Sequence, residues 1–219
     1  MATRQVLAEL AQAYRAATGV AVRFESVGGV DAARRVQAGE PFDLAVLAAD
    51  AIDRLIAGGH LAADSRTDLV RSPVAVAVRH GAARPDIGSE AALREAVQAA
   101  RSIGYSTGPS GTALLALFER WGIAEAMRAR IVQAPPGVPV ARLVAEGTVE
   151  MGFQQASELL GAPGVEVLGT LPAECAIETV FSGARCAGSR QPEAVAALLR
   201  FLRSPQTEEV KRRYGMAPA

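Results

Sequence analysis

The chain has little of several residue types on which common functional sites depend. Its 219 residues include two histidines, two cysteines and one tryptophan. Neither sign of charge is in excess, since Lys plus Arg and Asp plus Glu each number 23. Proteins that bind nucleic acids by neutralising phosphates usually show a basic excess and a high isoelectric point. The balanced charge therefore argues against a nucleic-acid partner.

The cysteines and histidines do not form a metal-binding pattern. Cys175 and Cys186 have no histidine at the spacing of zinc ligands, so we expect no metal site. Two unpaired core thiols are favoured over a single disulfide. His60 and His80 lie at the ends of predicted elements and are interpreted as surface or loop residues rather than catalytic groups.

Long apolar runs and a signal peptide are also lacking. No segment approaches the length of a membrane span, and Met1 leads directly into a helical pattern. The sequence as written is therefore expected to be cytoplasmic. However, α/β chains of this kind usually begin with a strand, and this one begins with a helix. If a first strand and an export signal precede Met1, the expected location is periplasmic.

Familiar catalytic and cofactor motifs are absent too. The segment Gly108-Pro109-Ser110-Gly111 lacks the Gly-x-Ser-x-Gly frame of a nucleophile elbow. No glycine-rich dinucleotide fingerprint or P-loop is present, so no cofactor is expected. No helix-turn-helix segment of a regulator is attached.

The elements that are present alternate between helix and strand, in a chain that is half hydrophobic. This pattern is typical of an α/β fold. We predict helices at 3–18, 31–38, 51–57, 89–100, 124–131, 138–146, 192–202 and 206–214. We predict strands at 20–25, 44–47, 69–78, 102–105, 149–153, 165–168, 176–181 and 185–187. The continuous apolar run of 44–47 suggests a buried parallel strand.

The segment Gly104–Gly122 is the most informative of these elements. It passes from a strand, through a loop rich in Ser, Thr and Gly, into an amphipathic helix. The first N–H groups of such a helix are unpaired and face the loop, which makes them a ready site for an anion. The alternative is that Ser110 or Thr112 simply caps the helix.

An internal similarity predicts two lobes. The segments 34–46 and 142–153 each contain a helix that stops at glycine, an acidic residue and a buried strand. We assign residues 1–74 and 177–219 to the first lobe, and residues 75–176 to the second. In open α/β sheets, ligands bind beyond the carboxyl ends of the strands. We therefore expect the two similar α/β lobes to share an interlobe cleft.

The order of these motifs resembles the type II periplasmic binding proteins, in particular the molybdate-binding-like branch. The resemblance rests on four segments: Ser26-Val27-Gly28-Gly29, Ala38–Val46, Gly108-Pro109-Ser110-Gly111 and Val144–Gln155. It covers nearly the whole chain, apart from the first strand of that fold, which the sequence lacks. It implies a substrate-binding protein that closes over a small anion, with an ABC transporter permease as partner if the protein is exported.

The resemblance also implies a set of ligand-binding residues. They are Thr3, Gly28, Gly29, Ser110, Gly111, Val140, Gln154 and Gln155. Arg4, next to Thr3, is a further candidate because it would supply a cation. The chain departs from molybdate binders in two places. It has Gly28-Gly29-Val30 where they tend to have a serine hydroxyl, and glutamine at 154–155 where they tend to have a tyrosine. The loss of two hydroxyl donors widens the expected pocket.

A second resemblance in the same branch is to the aconitate Δ-isomerases, which move a double bond in a tricarboxylate. The amides of Gln154 and Gln155, with a cation such as Arg4 or Arg34, would suit carboxylate groups. The leading prediction is binding of a small oxyanion or carboxylate anion, and tricarboxylate isomerisation is the alternative.

The isomerase alternative needs a base beside an acidic C–H group. Asp31, Asp50 and Tyr105 lie near predicted corners. An aspartate in the first turn of a helix more often interacts with the helix dipole, so no catalytic residue is assigned.

Overall fold

The computed structural model describes all 219 residues, Met1–Ala219, and the chain forms two compact units. Unit 1 comprises Met1–Ser72 and Val180–Ala219, and unit 2 comprises Pro73–Thr179. The backbone passes from unit 1 into unit 2 within one strand and returns within another. Both units contain helices and strands, so the predicted α/β class is confirmed.

The helices and strands run in the following order along the chain. The α-helices are α1 (Arg4–Thr18), α2 (Gly29–Gln37), α3 (Ala49–Ala57), α4 (Glu90–Ala99), α5 (Pro109–Arg120), α6 (Ala124–Met127), α7 (Val140–Ala145), α8 (Ala156–Leu159), α9 (Pro192–Arg203) and α10 (Glu208–Arg213). The strands are β1 (Leu44–Ala48), β2 (Thr67–Arg79), β3 (Ile103–Tyr105), β4 (Ile131–Gln133), β5 (Met151–Gln155), β6 (Val165–Thr170), β7 (Glu178–Arg185) and β8 (Ala217–Pro218).

Unit 1 is built on antiparallel pairs of strands. β1 pairs with β7, and the first half of β2 pairs with β8. Alternate residues of β1 enter two clusters, one shared with α1 and α9 and the other with α2 and α3. The prediction that β1 is a parallel strand is wrong. Its continuous apolar run reflects burial on both faces, which does not depend on the direction of the neighbouring strand.

Two further predictions of secondary structure are wrong. Residues 20–25 form no strand, although Val22 and Phe24 pack against the cluster formed by α1 and α9. Their alternation reflects burial on one side, whereas a strand also requires a partner for its backbone hydrogen bonds. The helix predicted at 124–131 ends at Met127, and β-branched Ile131 and Val132 instead pair with β3.

Unit 2 contains the parallel strands. β3 pairs in parallel with both β4 and β5, while β5 and β6 pair antiparallel with the second half of β2. The carboxyl ends of β3, β4 and β5 therefore meet at one edge of the sheet. From this edge the chain continues into α5, α7 and α8, respectively. The core beneath is apolar and includes Ile103, Leu114, Phe118 and Phe153.

The two cysteines are buried and unpaired, as expected from the sequence. Cys175 belongs to unit 2 and Cys186 to unit 1. Burial raises the pKa of both thiols, to about 11 for Cys186. None of the helices combines the length and the apolar character that crossing a lipid bilayer would require.

The single lysine of the chain is buried in unit 1. Lys211 is 1% exposed and lines a small apolar cavity with Leu7, Leu10 and Leu202. Its ammonium group forms no ion pair, and burial lowers its pKa despite the negative charge of Glu208. The ammonium is therefore a destabilising group in the folded protein at neutral pH.

We predict that Lys211→Met stabilises the protein at pH 7 by about 1 kcal/mol, because it replaces a buried cation with an apolar side chain of similar size. As pH rises through the lowered folded-state pKa, the wild-type protein releases the Lys211 proton before the unfolded chain does. Its free energy of unfolding should rise with pH towards about 10.4, the pKa of an unfolded lysine.

Urea unfolding between pH 7 and pH 10 measures this difference. The advantage of Lys211→Met should shrink as pH rises. Arg212→Met is the matched control, since Arg212 is exposed on the same helix. An advantage that stays constant over this pH range would show that Lys211 carries no electrostatic penalty.

Candidate functional site

The start of α5 lies at the carboxyl edge of the parallel strands, directly after β3. Gly108 is its N-cap residue, Pro109 is the first helical residue, and no side chain caps the helix. The alternative that Ser110 or Thr112 caps the helix is wrong, because both residues lie inside it. The Ser110 N–H has no acceptor in the protein, whereas the Gly111 N–H donates to the Gly108 carbonyl at 3.0 Å. The helix dipole and a free donor favour an anion at this position.

Ser110 and Gly111 also shape the turn before α5. The Ser110 and Ser106 hydroxyl oxygens lie 3.0 Å apart, and Ser110 is buried. A Cβ atom on Gly111 would lie 1.9 Å from the Ser106 carbonyl oxygen. Only glycine therefore lets the loop fold back onto the first turn of the helix.

Gln154 connects two of the helices at the same edge. Its Oε1 accepts a hydrogen bond from the Val140 N–H at 2.8 Å, and its Nε2 donates to Glu158 Oε2 at 2.8 Å. The side chain is buried at the end of β5. Val140, which the sequence suggested as a ligand-binding residue, thus has its N–H group already paired within the protein.

Gln155 has a different environment. Its Nε2 donates to Thr179 Oγ1 at 2.7 Å, while its Oε1 has no partner. Two positions later, the Ser157 hydroxyl also has none. These are the two buried side-chain polar atoms of unit 2 that lack a hydrogen bond. Because such groups normally find partners, they indicate polar atoms available to a ligand or to water.

Glu158 is a candidate that reasoning from the sequence missed. It lies in the short helix α8 and is partly buried. Burial raises the pKa of its carboxyl group, and the positive charge of the Met1 amino group and the hydrogen bond from Gln154 partly offset this effect. No arginine or lysine side chain forms an ion pair with it. The sequence feature that could have identified Glu158 is its position as the first acidic residue after a buried strand.

The remaining predicted ligand-binding residues belong to unit 1. Thr3 precedes α1 and makes no capping hydrogen bond, and Arg4 is exposed. Gly28 is the N-cap residue of α2 and Gly29 its first residue, and this helix also lacks a side-chain cap. A Cβ atom on Gly29 would meet nothing within 4 Å, so the space beside this turn is open.

The charged residues considered from the sequence are paired with neighbours on their own helices. Asp31 forms an ion pair with Arg34 at 3.5 Å, and Asp50 forms one with Arg54 at 2.8 Å. All four side chains are at least half exposed. These pairs fit a solvated helix surface and do not identify a base or a cation for the ligand.

Comparison with known proteins assigns the chain to a family. The model of the bacterial extracellular solute-binding proteins matches residues 1–217. The chain belongs to this family. It is 37% identical over 216 residues to a protein named aconitate isomerase from Pseudomonas sp., covering 96% of this chain and 82% of that relative.

Solved structures of other proteins show the same fold. The periplasmic molybdate-binding protein of Azotobacter vinelandii superposes with a TM-score of 0.81 at 19% identity, covering 98% of this chain and 95% of that one. Peb3 from Campylobacter jejuni gives a TM-score of 0.75 at 14% identity, covering 100% and 96%. The resemblance to type II periplasmic binding proteins is thus confirmed at the level of fold.

We predict that Gly111→Ala destabilises the protein by about 2 kcal/mol or more, because the new methyl group overlaps a backbone oxygen. Gly108→Ala is the control. Its Cβ would lie 3.8 Å from Ser106 Oγ, and its φ of −85° suits any residue. Thermal unfolding compares the two variants. Equal melting temperatures would show that the turn does not require close approach at Gly111.

Proposed function

We propose that this protein is an isomerase that shifts the double bond of a tricarboxylate anion. The observation that carries the proposal is the 37% identity to an aconitate isomerase, which extends over 96% of the chain. A match of this extent includes the candidate residues of each unit. Binding of a small anion without turnover, as in transport proteins of the same fold, is the alternative.

The candidate site supports a carboxylate-rich ligand in three ways. The start of α5 provides a free N–H group and the positive end of a helix dipole. Gln155 and Ser157 provide buried polar atoms that lack partners. The segment Gly28-Gly29-Val30 provides open backbone in place of a hydroxyl side chain. The Ser110 N–H and the Ser157 hydroxyl are neutral donors, which bind an anion without a fixed countercharge, whereas the unpaired Gln155 Oε1 is an acceptor for water or for a donor of the ligand.

The nine residues suggested from the sequence have different roles in this proposal. Ser110, Gly111 and Gln155 form the proposed contact region of unit 2. Val140 and Gln154 are hydrogen-bonded to each other and support this contact region. In unit 1, the backbone at Thr3, Gly28 and Gly29 and the side chain of Arg4 are proposed contacts.

The family also supports a location outside the cytoplasmic membrane, and a permease partner for the transport alternative.

Ligand-dependent stabilisation tests which anion binds. Thermal unfolding is measured with molybdate, tungstate, sulfate, citrate, cis-aconitate and trans-aconitate. We expect the aconitates to raise the melting temperature, since a ligand at 100 times its Kd adds about 2.7 kcal/mol to stability. Stabilisation by molybdate or tungstate but not by the carboxylates would instead identify an oxyanion binder.

A charge change at Gln155 tests the place of the ligand. We predict that Gln155→Glu weakens aconitate binding at least tenfold, a change of about 1.4 kcal/mol, because it adds an acidic group to a site for anions. Gln98→Glu makes the same chemical change on the exposed surface of α4 and should leave affinity unaltered. Calorimetric titration compares the two variants. Equal affinities would remove Gln155 from the site.

A further inference from the structure

We propose that Glu158 is the group that removes and returns the proton during this isomerisation, and that Gln154 positions its carboxylate. The inference rests on the proposed function, which assigned no base. It follows from the place of Glu158 in unit 2, its hydrogen bond from Gln154 and the absence of an ion pair with arginine.

The parallel sheet brings Glu158 to the edge that carries the candidate anion site. Tyr105 of β3 lies opposite Phe153 of β5, and both strands end at this edge. The chain after β3 forms the turn at Ser110, and the chain after β5 reaches Glu158 within five residues. The free donor of α5 and the carboxylate of α8 therefore follow neighbouring strand ends.

Gln154 holds one oxygen of Glu158 and leaves the other without a partner. Its Nε2 donates to Glu158 Oε2, and its Oε1 is fixed by the Val140 N–H. Because both ends of this amide are engaged, the orientation of Glu158 depends on the start of α7 and the end of β5. Glu158 Oε1 makes no hydrogen bond in the protein. That oxygen is the one available for proton transfer.

Other carboxylates of unit 2 form ion pairs with arginine, and Glu158 does not. Glu146, Glu150 and Glu166 each pair with an arginine, at 2.7, 3.2 and 2.6 Å, respectively. Glu158 is instead held by a neutral amide. A carboxylate beside an arginine is a weak base, whereas burial raises the pKa of Glu158 and makes it a better one. Proton transfer is most efficient when the pKa of the catalytic group approaches the working pH.

The chemical step is balanced without any other reactant. Glu158 Oε1 takes a proton from the methylene carbon next to the double bond, and the electron pair of the broken C–H bond forms a new C=C bond. The electrons of the original double bond move onto the far carbon and its carboxylate, where the Ser110 N–H and the α5 dipole favour the developing charge. Glu158 then returns the proton to that far carbon, and the double bond has moved by one position.

The test compares Glu158→Gln with the wild type in two measurements, aconitate turnover and aconitate binding. We expect kcat to fall at least about 100-fold, the usual contribution of a general base, while the Kd changes less than about threefold. Glu95→Gln is the matched control, because Glu95 is exposed on α4 and forms no ion pair. It should retain wild-type turnover.

Glu158→Asp keeps the carboxylate but shortens its reach. It should keep the wild-type Kd and melting temperature with a lower kcat, and it provides the test if Glu158→Gln does not fold. Wild-type kcat in either variant would overturn the inference and leave the proposed function intact. Parallel loss of binding and turnover would also overturn it, because Glu158 would then be structural. If the wild type itself binds aconitate but does not convert it, the proposed function and this inference both fail.

Discussion

The parallel pairing of β3 with β4 and β5 is the constraint on which the candidate site depends. Because the three strands run in one direction, their carboxyl ends meet at one edge and three helices begin beyond it. This edge carries the free N–H of Ser110, the amides of Gln154 and Gln155, and the carboxylate of Glu158. Antiparallel pairing would have distributed these groups between two opposite edges.

The polar residues at this edge differ in how fully the protein satisfies them. Gln154 uses both ends of its amide internally and joins α7 to α8 through Val140 and Glu158. Gln155, the next residue, points to the other face of the strand and keeps an unpaired oxygen. Two consecutive glutamines therefore have different roles, one in positioning neighbouring elements and the other at the proposed contact with the ligand.

The sequence predicted the α/β class, most helices and the turn before α5, because glycine stops and apolar spacing are local signals. It failed at residues 20–25 and at the direction of β1, because strand pairing depends on distant parts of the chain. The sequence also suggested Ser110, Gly111, Gln154 and Gln155, but it did not distinguish Gln154 from Gln155. Glu158 was missed, because its significance lies in burial and in the absence of an arginine partner, neither of which is a sequence motif.

The central claim is that the donors and the carboxylate at this edge serve catalysis and not binding alone. A proton NMR time course of trans-aconitate with the purified protein tests it most directly. The structure and the similarity to an aconitate isomerase predict that cis-aconitate appears at a rate proportional to protein concentration. Saturable binding of trans-aconitate without any cis-aconitate formation would contradict the claim and leave a solute-binding protein.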